Sequence, residues 1–163
     1  MNQLRVPTRR ITVEVRTADG ALAQGAMFHT ETLYQTGGAE DIADELNDER
    51  SFVPFVAHDS EACDCLLNKR HIVRVRIAGP TEIRRPSAAG APLSTLLFSD
   101  GSWLTGRLLL DAPSGASRLL DKFNQAATFL PFATEDGVEF VNRAHIVRVR
   151  SIDGGSGWPS STS

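Results

Sequence analysis

The string His71-Ile72-Val73-Arg74-Val75-Arg76 recurs letter for letter as His145-Ile146-Val147-Arg148-Val149-Arg150. Self-similarity of this kind within 163 residues marks a built-in repeat, and it restricts the fold more than any composition figure. The match extends upstream. Asn68 and Asn142 share the offset of 74, while Phe52-Val53-Pro54-Phe55 and Phe129-Leu130-Pro131-Phe132 stand 77 apart. In that second register Asp44-Glu45-Leu46-Asn47 answers Asp121-Lys122-Phe123-Asn124. Asp19-Gly20 and Gly25 match Asp100-Gly101 and Gly106 at an offset of 81. The offset shortens twice, each time between apparent elements, where loops absorb changes of length. The chain reads as a tandem duplication.

Each copy carries the same succession of signals. Ile11-Thr12-Val13-Glu14-Val15-Arg16 alternates apolar with polar, and Asp19-Gly20 admits the positive φ angles of a type I′ hairpin turn into 21–28. The second copy repeats this with 94–99, Asp100-Gly101 and 102–110. Ile42, Ala43 and Leu46, like Leu119, Leu120 and Phe123, are spaced as one stripe of a short helix, preceded by the breakers Gly37-Gly38 or Ser114-Gly115. The stretches 52–56 and 129–133 read as strands holding a proline, which cannot donate to a sheet ladder and so predicts edge or bulged strands. A long final strand, 63–77 or 138–152, is expected to break near its asparagine. The expected fold is therefore mainly β (α+β), with two tandem β-β-α-β-β modules packed as a pseudo-dimer. The modules are 9–77 and 94–152, joined by a Pro/Gly/Ala-rich linker at 78–93 and followed by a flexible tail at 153–163 that carries Trp158. Modules of about 60–70 residues hold only a marginal core, so neither half is expected to be stable alone.

The Asp-Gly turn, the glycine in the second strand, Asp44 to Asn47 and the final Asn68-Lys69-Arg70-His71-Ile72 together resemble the Sm-like barrel pattern, as do Asp121 to Asn124 and Asn142 to Ile146. The helix-like stretch lies mid-copy, the Arg-Gly pair of that family is absent, and the Phe-(Val/Leu)-Pro-Phe strand has no counterpart in it. Each copy is more closely similar to an uncharacterised bacterial domain with a Leu-Asn helix, a Phe-Leu-Pro strand and a Val-Asn-x-x-x-Ile-Val strand. The first resemblance implies small barrels and RNA binding; the second implies no activity.

Arginine supplies the main candidate site. Arg74, Arg76, Arg148 and Arg150 make one stripe if the two final strands lie together, with Lys69, Arg70 and Arg143 beside it. Guanidinium forks suit phosphate and carboxylate, so this face is a candidate partner- or anion-binding surface. Acidic residues of the helical segments, among them Glu45 and Asp48, offer the competing role of internal ion pairs. With one Tyr and two Trp, aromatic platforms for base stacking are scarce. His58, Cys63, Cys65 and His71 form a weak candidate metal set, because Cys-x-Cys is not a zinc spacing and Gly137 and Glu139 replace the cysteines in the second copy. On an alternating strand His71 shares a face with Val73 and Val75, as His145 does with Val147 and Val149, which suits a half-buried structural histidine or a titrating pair.

Neither a phosphate-cradling glycine loop nor a Gly-x-Ser-x-Gly elbow occurs, and no duplicated carboxylate pair stands ready for acid–base work. The expectation is a non-catalytic protein without a cofactor or small-molecule substrate. The N-terminus lacks an apolar signal core, no apolar run is long enough to span a bilayer, and two cysteines suit a reducing compartment, so a cytoplasmic location is expected. A net charge of −3 speaks against a protein built mainly to hold nucleic acid. The expected function is binding or assembly through protein–protein contacts, with another copy of the chain among the partners. Sm-like RNA binding through the arginine face is the alternative.

Overall fold

Alternation decides the first strand: Ile11, Val13 and Val15 are buried while Thr12 between them is exposed. The structure, a computed structural model, describes residues 8–30, 39–58, 64–78, 91–110, 119–124 and 127–152. The interior of the expected linker, the tail with Trp158, both breaker pairs and Cys63 lie outside the described residues. The protein is mainly β. Strands β1 (Thr8–Thr17) and β2 (Leu22–Thr30) precede helix α1 (Ala39–Asn47), then come β3 (Phe52–Ala57), β4 (Asp64–Asn68) and β5 (Ile72–Ile77). The succession recurs as β6 (Ser94–Phe98), β7 (Trp103–Leu108), α2 (Leu119–Phe123), β8 (Phe129–Thr134), β9 (Gly137–Asn142) and β10 (Ile146–Ser151).

The long final strand of each half does break at its asparagine. A 3-10 turn, Lys69–His71 or Arg143–His145, follows Asn68 or Asn142, whose side chain accepts the N–H of Arg70 or Ala144. His71 thus lies in a turn, exposed, and not on a strand among valines. The Asp-Gly hairpins also differ from a two-residue type I′ turn. Gly20 N–H bonds Thr17 O at 2.9 Å, Thr17 N–H bonds Ala21 O at 3.0 Å, and Gly20 sits at φ +86°, which is a three-residue loop closed by a left-handed glycine. Gly101 repeats this at φ +82°. Aspartate selects the longer loop by reaching forward: Asp19 Oδ1 accepts Ala21 N–H at 3.1 Å, and Asp100 Oδ1 accepts Ser102 N–H at 2.9 Å.

All ten strands join one antiparallel sheet in the order β10-β6-β7-β8-β9-β5-β1-β2-β3-β4. It is open, not a closed barrel, because β5 pairs with β9 of the other half and does not turn back onto β4 of its own. The proline strands are interior, with β3 between β2 and β4. Pro54 is tolerated there because it lies one residue beyond Phe55, the last partner of β2. Gly25 makes that β2–β3 approach feasible: a Cβ on it would stand 2.2 Å from Val56 O, and one on Gly106 would stand 2.0 Å from Ala133 O.

Helix α1 buries Ile42 and Leu46 as its spacing predicts, whereas the one-turn α2 packs Phe123 inward and leaves Leu120 exposed. Two apolar clusters fill the interior, and each borrows from the other half. Phe129, Val138 and Phe140 of the second half pack with Val13, Ile42, Phe55 and Val75; Val73 of the first half packs with Leu96, Phe98, Leu130 and Val141. The β5–β9 junction is thus a continuous piece of core.

Candidate functional site

The repeated His-Ile-Val-Arg-Val-Arg strings occupy unlike places. One forms β5, in mid-sheet between β1 and β9; the other forms β10, at one end of the order, with four strands between them. The two strands are not hydrogen-bonded neighbours, so Arg74 and Arg76 share no ladder with Arg148 and Arg150. Their pairing differs accordingly. Arg74 NH1 lies 3.2 Å from Glu139 Oε2 and its guanidinium stands 5.8 Å from the Phe98 ring centroid. Arg76 NH2 lies 3.2 Å from Glu14 Oε2. Arg148 and Arg150 are exposed and make no ion pair among the described residues.

The acids that hold the seam arginines come from strands. Those of α1 and the turn after it serve elsewhere: Glu45 and Asp48 hold Arg50, and Asp48 Oδ1 lies 2.6 Å from the buried Lys69 ammonium. The Arg50 hydrogen bonds, with help from Lys69, hold the Asp48 carboxyl far below the usual carboxylate range. Lys69 is thus a structural cation, while Arg143 lies half-buried in its turn. Burial pushes Glu139 above its ordinary value, and the charges of Arg74 and Arg76 oppose that rise. Asp100 ends below its ordinary value: burial raises it, but the Ser102 hydroxyl and N–H and the Arg16 charge outweigh that. Arg16 NH1, 3.6 Å from Asp100 Oδ2, adds a second ion pair between the halves.

The seam arginines Arg16, Arg74 and Arg76 and the acids Glu14 and Glu139 line a groove of about 210 Å³. Glu14, Asp136 and Glu139 face Arg16, Arg74 and Arg76 there, so its charges balance and nothing singles out an anion. Of the candidate metal residues, Cys63 lies outside the described residues and the other three are placed as follows. His58 is exposed after β3, Cys65 is half-buried on β4, His71 is exposed in its turn, and no group of three or more metal-ligating side chains converges among the described residues.

Polar clamps that single residues did not advertise lock the seam. Asn47, at the end of α1, donates from Nδ2 to Phe129 O at 3.0 Å and accepts Phe129 N–H at 2.8 Å. Asn142 Nδ2 donates to Ile72 O at 2.8 Å. His145 Nε2 donates to Arg70 O at 2.7 Å, and its Nδ1 shares a hydrogen bond of 2.8 Å with the Ser99 hydroxyl. Each of these residues was visible as a repeated letter, but the bond partner lies in the other half.

The two ends of the sheet are the repeat equivalents of the seam strands, β10 in nearly the letters of β5 and β4 sharing only its asparagine with β9, and among the described residues no further strand pairs with them. Leu66 on β4 is 66% exposed, whereas Phe140, which occupies its place on β9, is 1% exposed. Phe52 is 49% exposed against 1% for Phe129, and Val147 is 62% exposed against 0% for Val73. No helix among the described residues is long and apolar enough to cross a membrane. Comparisons with protein-family models, curated proteins and solved structures return no match.

Proposed function

We propose that the chain is a non-catalytic binding and assembly module that works in the cytoplasm through protein–protein contacts along its sheet edges. On this reading 9–77 and 94–152 are tandem Sm-like modules paired as a pseudo-dimer. One observation carries it: among the described residues both terminal strands have a strand partner on one side only, next to exposed apolar side chains, Leu66 and Phe52 at one end and Val147 at the other. Such an edge is a template for another strand unless something covers it.

The test is affinity retrieval of the tagged chain from its native cells, with bound polypeptides, untagged copies included, quantified by mass spectrometry. Leu66→Glu and Val147→Glu are expected to lower specific retention about tenfold, and Glu135→Lys, in the exposed β8–β9 turn, to leave it unchanged. Retention indifferent to both edges, or robust turnover by the purified protein in a hydrolase and transferase screen, overturns the reading.

RNA binding is the second reading, favoured by Arg148 and Arg150 on β10, exposed and without an ion pair among the described residues. Salt-dependent RNA binding that Arg148→Glu and Arg150→Glu abolish supports it; no RNA shift at low salt removes it.

A further inference from the structure

We infer that β10 of one copy pairs with β4 of a second copy, repeating between chains, head to tail, the β5–β9 seam found within the chain. Resting on the edge-contact reading above, this pairing makes the partner the chain itself.

The seam has two sides, and each has an unused duplicate. Its fifth-strand side is β5, repeated as β10; its fourth-strand side is β9, repeated as β4. Within the chain Arg74 pairs Val141, Val75 pairs Phe140 and Arg76 pairs Glu139. The repeat transfers this register to Arg148 opposite Leu67, Val149 opposite Leu66 and Arg150 opposite Cys65. Burial supports the transfer from both directions. Val73 inserts into the second half's cluster, and Val147 is its exposed duplicate. Phe140 and Phe129 insert into the first half's cluster, and Leu66 and Phe52 are their exposed duplicates.

The polar clamps transfer in the same direction. Asn47 of the first half grips Phe129 of the second, so an exposed Asn124 is placed to grip Phe52 of the next copy. Asn142 and His145 reach the carbonyls of Ile72 and Arg70, so Asn68 and His71 of the next copy are placed to reach those of Ile146 and Ala144. One explanation then covers both repeated histidines and all four repeated asparagines. Cys65 stands where Glu139 does, so the Arg74 ion pair has no duplicate, and the seam between copies is the weaker, concentration-dependent one. Head-to-tail contacts of this kind close into rings or run on as filaments, according to the rotation at each step.

The experiment is native mass spectrometry and light scattering of the purified full chain at rising concentration. Wild type is expected to exceed a dimer. Leu66→Glu spoils only the β4 end and Val147→Glu only the β10 end, so each alone is expected to be a monomer while their mixture gives a 1:1 dimer that grows no further. Both positions are exposed, so the variants keep the wild-type circular dichroism spectrum. Register is read by Arg150→Cys in a Cys63→Ser background, which under diamide is expected to link copies through Cys65; Val149→Cys, facing the opposite side, is expected not to. A wild type that stays monomeric at high concentration, an oligomer indifferent to both variants, or a mixture without a dimer overturns the inference. A monomeric purified chain whose edges still retain other polypeptides from cells sinks self-pairing alone; edge-independent retention sinks the broader reading.

Discussion

Asn47→Ala isolates one clamp of the seam. The side chain acts as a fragment of strand, giving one N–H and one C=O to Phe129, with bonds of 3.0 and 2.8 Å and a partner residue that is 1% exposed. A typical intramolecular hydrogen bond nets about 1 kcal/mol, and a buried group left unpaired costs about 1–3 kcal/mol. Asn47 itself is exposed, so water recovers part of the loss, and alanine returns a few tenths through better helix propensity. The balance is about 2–3 kcal/mol. At about 2–4 °C per kcal/mol for a chain of this size, the melting temperature is expected to fall by about 5–10 °C. Urea unfolding checks it: the midpoint should drop while the denaturant slope stays constant. Asn124→Ala is the internal control, because it carries the same helix-end change without a side-chain partner among the described residues. With Leu66→Glu present in both variants to remove any pairing between copies, Asn124→Ala is expected to cost less than about 0.5 kcal/mol. Equal effects of the two alanines, or an Asn47 effect inside that margin, would refute the seam as a source of stability.

Gly106→Ala and Gly25→Ala force a methyl group to within 2.0 and 2.2 Å of a strand carbonyl, and each is expected to cost about 3 kcal/mol or more in urea unfolding. Asp48→Asn removes the partner of buried Lys69 and is expected to cost about 2 kcal/mol at neutral pH. The wild-type Asp48 carboxyl is held below its ordinary 3.8, so its contribution is intact above that pH and lost as pH falls further; stability measured from pH 5 to 2 should decline less steeply in Asp48→Asn. Glu139 acts with the opposite sign: its raised folded value makes the native state take the proton first. Its contribution therefore grows as pH falls toward the ordinary 4.5, and Glu139→Gln should remove that part of the profile. Residues 1–79 alone lack Phe129, Val138 and Phe140, which complete the first cluster, and are expected to show no cooperative melt by calorimetry.

The elements of the fold were legible because their signals are local. Alternation marks β1, Asp-Gly marks both hairpins, and Asn68 and Asn142 mark the breaks where their side chains cap a 3-10 turn. What was not legible is what lies opposite. Whether Pro54 sits on an edge depends on where β2 ends, and the loop length at Asp19 depends on a forward hydrogen bond that competes with the type I′ turn. The arginines differ in their pairing for the same reason: equal letters on β5 and β10 describe the strands, while strand order gives them different neighbours. The seam acids Glu14 and Glu139 could have been suspected only from their alternation with valines, since pairing across 62 and 65 residues leaves no local trace.

Identity between the repeated strings is itself a physical statement about the sheet's end. In β5 the letters answer definite demands: Val73 and Val75 are buried, while Arg74 and Arg76 meet carboxylates. In an isolated chain β10 meets few of these demands, since Val147 is largely exposed and neither arginine has an ion pair among the described residues. Charged side chains on an edge strand ordinarily discourage further pairing. Here the same Arg-Val-Arg is flanked by paired strands on both sides in β5, so these charges do not block a neighbour. Burial within one chain therefore does not account for an apolar Val147 beside two arginines at β10. The proposed pairing with β4 of a second copy would, because it places the second string in the environment that the first already occupies.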